Sequence, residues 1–144
     1  MNAKIIKPKE GKYLNVIGDQ QWIKLSGEDT NGAFAMVEQQ NQPGASIPTH
    51  MHTREDETFY IAEGKVQFTI DGIEVAAEPG TTVFLPKKTP HSFRVIGDSL
   101  MRAIVLVSPS GCEKMFEELA DLPPGPPDMS KATEICNRYG VYFL

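Results

Sequence analysis

Residues 44–64 read G-A-S-I-P-T-H-M-H-T-R-E-D-E-T-F-Y-I-A-E-G, with His50, His52 and Glu57 inside the run. Side chains on an extended strand alternate between two faces, so His-x-His places both imidazoles on one side. The chain has three histidines, and the third, His91, ends the segment 80–91, G-T-T-V-F-L-P-K-K-T-P-H. Two imidazoles, a carboxylate at Glu57 and a third imidazole at His91 make a mixed N/O donor set. Such a set suits a borderline or hard divalent transition metal.

Outward from that run, short stretches rich in Val, Ile, Phe and Thr alternate with turn signals through residue 108. Among them are T-F-Y-I-A, K-V-Q-F-T-I, T-V-F-L, H-S-F-R-V and L-M-R-A-I-V-L-V. Asp71-Gly72 between K-V-Q-F-T-I and I-E-V predicts a two-residue hairpin turn. Val66, Phe68 and Ile70 alternate with Lys65, Gln67 and Thr69, which predicts one buried and one wet face. Many short, evenly spaced strands predict an all-β sandwich or barrel over residues 1–108.

Residues 109–144 change character. Ser110 and Glu113 have the spacing of a capping box, and Cys112, Met115, Phe116 and Leu119 follow at helical intervals. The run P-P-G-P-P at 123–127 ends that helix and stiffens the connection. Ala132, Ile135, Cys136 and Tyr139 predict a second helix, with Gly140 just past its end and Glu134–Arg138 as an i,i+4 ion pair. The terminal V-Y-F-L is apolar and is expected to dock on the barrel or on a partner subunit.

A chain of 144 residues is long enough for one domain with a real core. A net charge of −5 and the lack of a basic patch with interleaved aromatics exclude nucleic acid as an expected partner. No run approaches the ~20 apolar residues of a membrane span. The N-terminus lacks the apolar run of a signal peptide, so a cytoplasmic location is expected. Cys112 and Cys136 lie on apolar helical stripes without C-x-x-C spacing, and are read as buried free thiols rather than ligands.

Gly44, His50, His52, Glu57 and Gly64 match the first motif of the cupin family, G-x5-H-x-H-x(3,4)-E-x6-G. Gly80, Pro86 and His91 match the second, G-x5-P-x-G-x2-H-x3-N, in which Lys88 and Val95 replace the second glycine and the asparagine. The chain thus resembles a small single-domain cupin, and its flanks resemble quercetin-dioxygenase-like members. The resemblance implies a double-stranded β-helix, or jelly roll, with one or two short C-terminal helices, often as a homodimer. It implies His50, His52, Glu57 and His91 as ligands of one divalent ion (Fe, Mn, Ni, Cu or Zn).

Glu57 has rivals in Glu55 and Asp56. Its distance to Gly64, and its shared parity with Phe59 and Ile61, favour it. Glu55 and Asp56 are then read as a solvated acidic turn, so Glu55→Ala is expected to leave metal occupancy unchanged. Lys88 denies the turn after Pro86 the left-handed freedom of glycine.

Four protein donors leave two cis positions on an octahedral ion for substrate or O2, which is the mark of a catalytic site. Three functions follow: a dioxygenase on a small enolisable or phenolic compound with Glu57 as proton acceptor; a non-redox isomerase or lyase; or a small-metabolite binder without turnover. Met36, Phe59, Phe68 and Phe93 are candidates to line the pocket. Gln39 and Gln40 are read as strand-end surface.

Overall fold

The computed structural model describes residues 2–144. In chain order the elements are β1 (Lys12–Val16), β2 (Asp19–Leu25), α1 (Gly27–Thr30), β3 (Ala35–Asn41), β4 (Ser46–His52), β5 (Asp56–Glu63) and β6 (Lys65–Ile70). They continue with β7 (Ile73–Ala77), β8 (Thr82–Leu85), β9 (His91–Ile96), β10 (Met101–Ser108), α2 (Cys112–Ala120), α3 (Met129–Arg138) and β11 (Val141–Phe143). Two antiparallel sheets face each other, one ordered β1-β2-β3-β10-β5-β8 and the other β11-β4-β9-β6-β7. This is the all-β sandwich that the strand spacing predicts, in the jelly-roll form that the resemblance implies. No helix is long and apolar enough to cross a membrane among the described residues.

Period-two alternation decides what faces the core. On β5 Glu57, Phe59 and Ile61 are buried, while Thr58 and Tyr60 point outward. Phe59, Phe68 and Phe93 meet between the sheets with ring centroids 5.3–6.0 Å apart. Burying each such ring contributes on the order of 2 kcal/mol or more. The β6–β7 hairpin turns at Asp71 and Gly72 with φ 49° and 81°, the left-handed pair of a type I′ turn. Gly64 joins β5 to β6 because nothing larger fits: a Cβ there would lie 2.6 Å from the Leu100 carbonyl oxygen. Lys88 adopts φ 69°, so the turn keeps the left-handed geometry without glycine, and its N–H donates to the His52 carbonyl at 2.7 Å.

Met36 departs from its expected place. Ala35 and Val37 are buried inward, whereas Met36 pairs with Leu25 and Leu106 on the outer face of its sheet. It is therefore not a pocket residue. Three consecutive apolar positions carry no alternation that would have shown this.

The tail folds back on its own barrel. Glu113 does not cap Ser110: the residue before α2 is Gly111, and the buried Glu113 carboxylate accepts from Gly111 N at 2.7 Å and Gly27 N at 2.9 Å. Cys112, Met115 and Leu119 face inward, as their spacing predicts. Asp128 caps α3 by accepting from Ser130 N and Lys131 N, and Gly140 follows its end at φ 77°. Arg138 pairs with Glu118 of α2 at 2.8 Å, not with Glu134. The last residues form β11, which adds to β4 with Val141 opposite His52 and Phe143 opposite His50. Both cysteines are buried free thiols.

Candidate metal centre

Two neighbouring strands supply the histidines and their carboxylate comes from the facing sheet. His50 and His52 leave the inward face of β4, and His91 leaves β9 directly opposite His50. Glu57 enters from β5. All four side chains are buried. One ring nitrogen or more of each histidine lies within 4.8 Å of the others, the spacing at which one ion can be shared. Glu57 approaches two of them, Oε2 at 3.6 Å from His52 Nε2 and Oε1 at 3.3 Å from His91 Nε2.

Each imidazole is pinned through its other nitrogen. His50 Nδ1 meets the Pro48 carbonyl at 2.8 Å, His91 Nδ1 the Thr89 carbonyl at 2.9 Å, and His52 Nδ1 the Glu55 carboxylate at 2.6 Å. All three partners are acceptors, so the Nδ1 atoms carry the protons and the Nε2 lone pairs are left to face one another. The result is a test of fit. His91 Nε2 and Glu57 Oε1 are buried and make no hydrogen bond, despite lying 3.3 Å apart. Buried polar atoms are rarely left this way, and a cation between them would satisfy both.

The electrostatics agree. Burial holds His50 down to about 4, with the neighbouring His91 adding to the effect. For Glu57 burial alone would raise the value, but His52 and His91 outweigh it and hold the carboxyl near 2. Burial likewise opposes charge on His52, and Glu57 with Glu55 reverses the sign. At neutral pH the site therefore offers neutral His50 and ionised Glu57, the forms that bind a metal.

Glu55 overturns its reading as a solvated residue: it is buried, and it orients His52. Asp56 beside it is only half-buried and accepts from Lys87 N at 2.9 Å. Cys112 Sγ sits 3.9 Å from His52 Nδ1. Burial, then Glu55 and Glu57, push its thiol well up, so it stays protonated beside a nitrogen already engaged by Glu55.

The histidines open onto a cavity of about 340 Å³ that Phe59 and Phe93 also border, while Phe68 lies in the core beneath them. Ile47, Phe116 and Phe143 extend the apolar lining. One wall is polar. Asp19 and Gln21 of β2, and Gln39 and Asn41 of β3, line it. Gln39 is buried, contrary to its surface reading, whereas Gln40 lies on the outer face and meets Gln20. Burial lifts Asp19 to about 6 against the pull of its amide partners, and the Glu57 charge adds to the rise.

A model of the cupin domain family matches residues 37–107. Quercetin 2,3-dioxygenase of Bacillus subtilis (strain 168) is 33% identical over 118 residues, which is 81% of this chain and 34% of that protein. This chain thus spans about a third of the length of that dioxygenase. Polyketide synthase CurC of Streptomyces cyaneus is 29% identical over 68 residues, 47% of this chain and 44% of that protein. Among solved structures, KdgF from Halomonas sp. superposes with a TM-score of 0.69 at 21% identity, covering 78% of this chain and 99% of that one. The polyketide cyclase RemF from Streptomyces resistomycificus gives 0.66 at 21% identity, over 74% of this chain and 80% of that one. At these identities the structural likenesses speak to the fold.

Proposed function

This chain is a small member of the cupin superfamily, and on that premise we propose that it is a metal-dependent dioxygenase acting on a small enolisable or phenolic compound. His50, His52, Glu57 and His91 are the proposed ligands. The observation that carries the reading is the convergence of three pinned imidazoles on one buried point beside an unpartnered carboxylate oxygen. A bound divalent ion would supply Lewis acidity there and, where redox-active, electrons for O2.

The protein's own groups define the rest. Glu57 is the proposed proton acceptor, since it is ionised and a carboxylate ligand can detach and carry a proton. A carboxyl held near 2 is a weak base, so it suits an acidic enol or phenol better than an alkyl alcohol. Phe59, Phe93 and Phe143 offer flat apolar faces to a planar ligand, and with Ile47 they keep water from its ring.

The test is O2 uptake with a flavonol or an enediol after loading with Fe, Mn, Ni or Cu, and none with Zn. Anaerobic turnover of a sugar or keto acid would instead support an isomerase or lyase. The amide-and-carboxyl wall favours that second reading, because it suits a hydroxylated ligand. Saturable binding without turnover under every metal would leave a binding module.

Assembly as a symmetric homodimer is part of the proposal. Ile73 and Val75 share the inward parity of Val66 and Phe68, yet they are 68% and 50% exposed. The core-side face of edge strand β7 thus lacks a cover within the chain.

A further inference from the structure

We propose that Asp19, Gln21, Gln39 and Asn41 form a subsite that recognises the hydroxyl groups of a neutral, polyhydroxylated ligand, away from the end held at the histidines. This inference rests on the reading that the cavity takes a small molecule at the metal centre.

The placement is the first argument. Positions 19, 21, 39 and 41 share the inward face of β2 and β3 with Ile23, Ala35 and Val37, which are core. Polar side chains on such a face cost several kcal/mol unless they are matched. Here the donors are matched. Gln21 Nε2 donates to Asp19 Oδ2 at 2.6 Å, Gln39 Nε2 to the same oxygen at 3.1 Å, and Asn41 Nδ2 to Oδ1 at 2.9 Å. The acceptors are not: Gln21 Oε1 and Gln39 Oε1 are buried without a partner. Those side chains are 1% and 6% exposed and border the cavity. A network half satisfied from within is poor core design. It is what a site for an absent donor looks like.

Charge narrows the ligand. No Lys or Arg lines the cavity among the described residues. A carboxylate and two bare carbonyl oxygens repel phosphate or carboxylate groups at this end, and accept from O–H. Ile17 and Gly18, at φ 51° and 86°, form the two-residue hairpin turn that delivers Asp19 to the wall, and both border the cavity.

The experiment compares two probes that share a chelating hydroxy-ketone: quercetin, with remote ring hydroxyls, and 3-hydroxyflavone, without them. Affinities are measured by fluorescence quenching for Zn-loaded and metal-free protein, wild type and Gln39→Met. Wild type should prefer quercetin by about tenfold or more. Gln39→Met should bring the preference to within about twofold by weakening quercetin alone, with metal content and melting temperature as controls on folding. Asp19→Asn should do the same and serves if Gln39→Met unfolds. Equal affinities in wild type, or a preference intact in both folded variants, would overturn the subsite. A preference that persists at undiminished affinity in metal-free protein would keep the subsite and count against the histidines as the anchor. Failure of both probes to bind either form would overturn both.

Discussion

Glu55 Oε1 lies 2.6 Å from His52 Nδ1, with both side chains 5% exposed. Three residues apart on a tight turn, they form a unit in which the carboxylate fixes the ring and its protonated nitrogen. The turn T-R-E-D-E thus holds one carboxylate for the proposed metal, one for the ligand's orientation and one for the backbone of Lys87.

Glu55→Ala should therefore lower metal affinity by about 10- to 100-fold, the usual effect of removing a group that orients a ligand. Glu55→Gln, which still accepts at Nδ1, should lose less. Competition with a chromogenic chelator measures both. Wild-type affinity in the alanine variant would make the contact incidental.

Asp19 makes a pH-dependent contribution of definite sign. Its folded value is raised from 3.8 to about 6, so between those values the unfolded chain ionises while the folded carboxyl keeps its proton. Stability from this group is therefore lost as pH rises through that window, on the order of 2 kcal/mol. His50, held near 4, works oppositely, because it resists the proton that its unfolded form takes below 6.5. The variant must thus be compared with wild type at each pH. Asp19→Asn should gain about 2 kcal/mol relative to wild type at pH 7 over its difference at pH 4, by urea unfolding of metal-free protein. No change in that difference would contradict the buried carboxyl.

Gly64→Ala should destabilise by at least about 2 kcal/mol. Its φ is 80° and the new Cβ would press on Leu100 and Met101 backbone. Gly72→Ala, at φ 81° with nothing within 4 Å, should lose only the conformational part, about 1 kcal/mol. Chemical denaturation separates the two, and equal losses would remove the steric account of the first motif's last glycine.

The homodimer is checked by sedimentation at micromolar concentration. Wild type should run as a dimer, and Ile73→Glu with Val75→Glu should run as a monomer of unchanged fold. A monomeric wild type would leave the β7 edge as an exposed apolar surface without that role.

What the sequence made legible follows the alternation rule. Where a strand switches cleanly between polar and apolar, as at Lys65-Val66-Gln67-Phe68, the face of each side chain could be read in advance. Where it does not, the rule is silent. Ala35-Met36-Val37 is apolar throughout, and Gln39-Gln40 is polar on both faces, so Met36 and Gln39 exchanged places between expectation and structure. Asp19 and Gln21 share parity with Ile23, but Asp19-Gln20-Gln21 is polar on both faces and carries no alternation either. The tail failed for another reason. Glu113 and Arg138 have suitable local partners at helical spacing, yet they meet Gly27 and Glu118, contacts that only the tertiary fold creates. Three residues of β11 are too few to show a period at all.

The metal content of protein purified without added metal tests the central claim most directly. Elemental analysis should find about one divalent transition ion per chain, lost on acidification as the imidazoles take up protons. His52→Ala should reduce occupancy strongly, and His50→Ala/His52→Ala should abolish it while the jelly roll still melts cooperatively. Full metal retention in the double variant would contradict the assignment of the site.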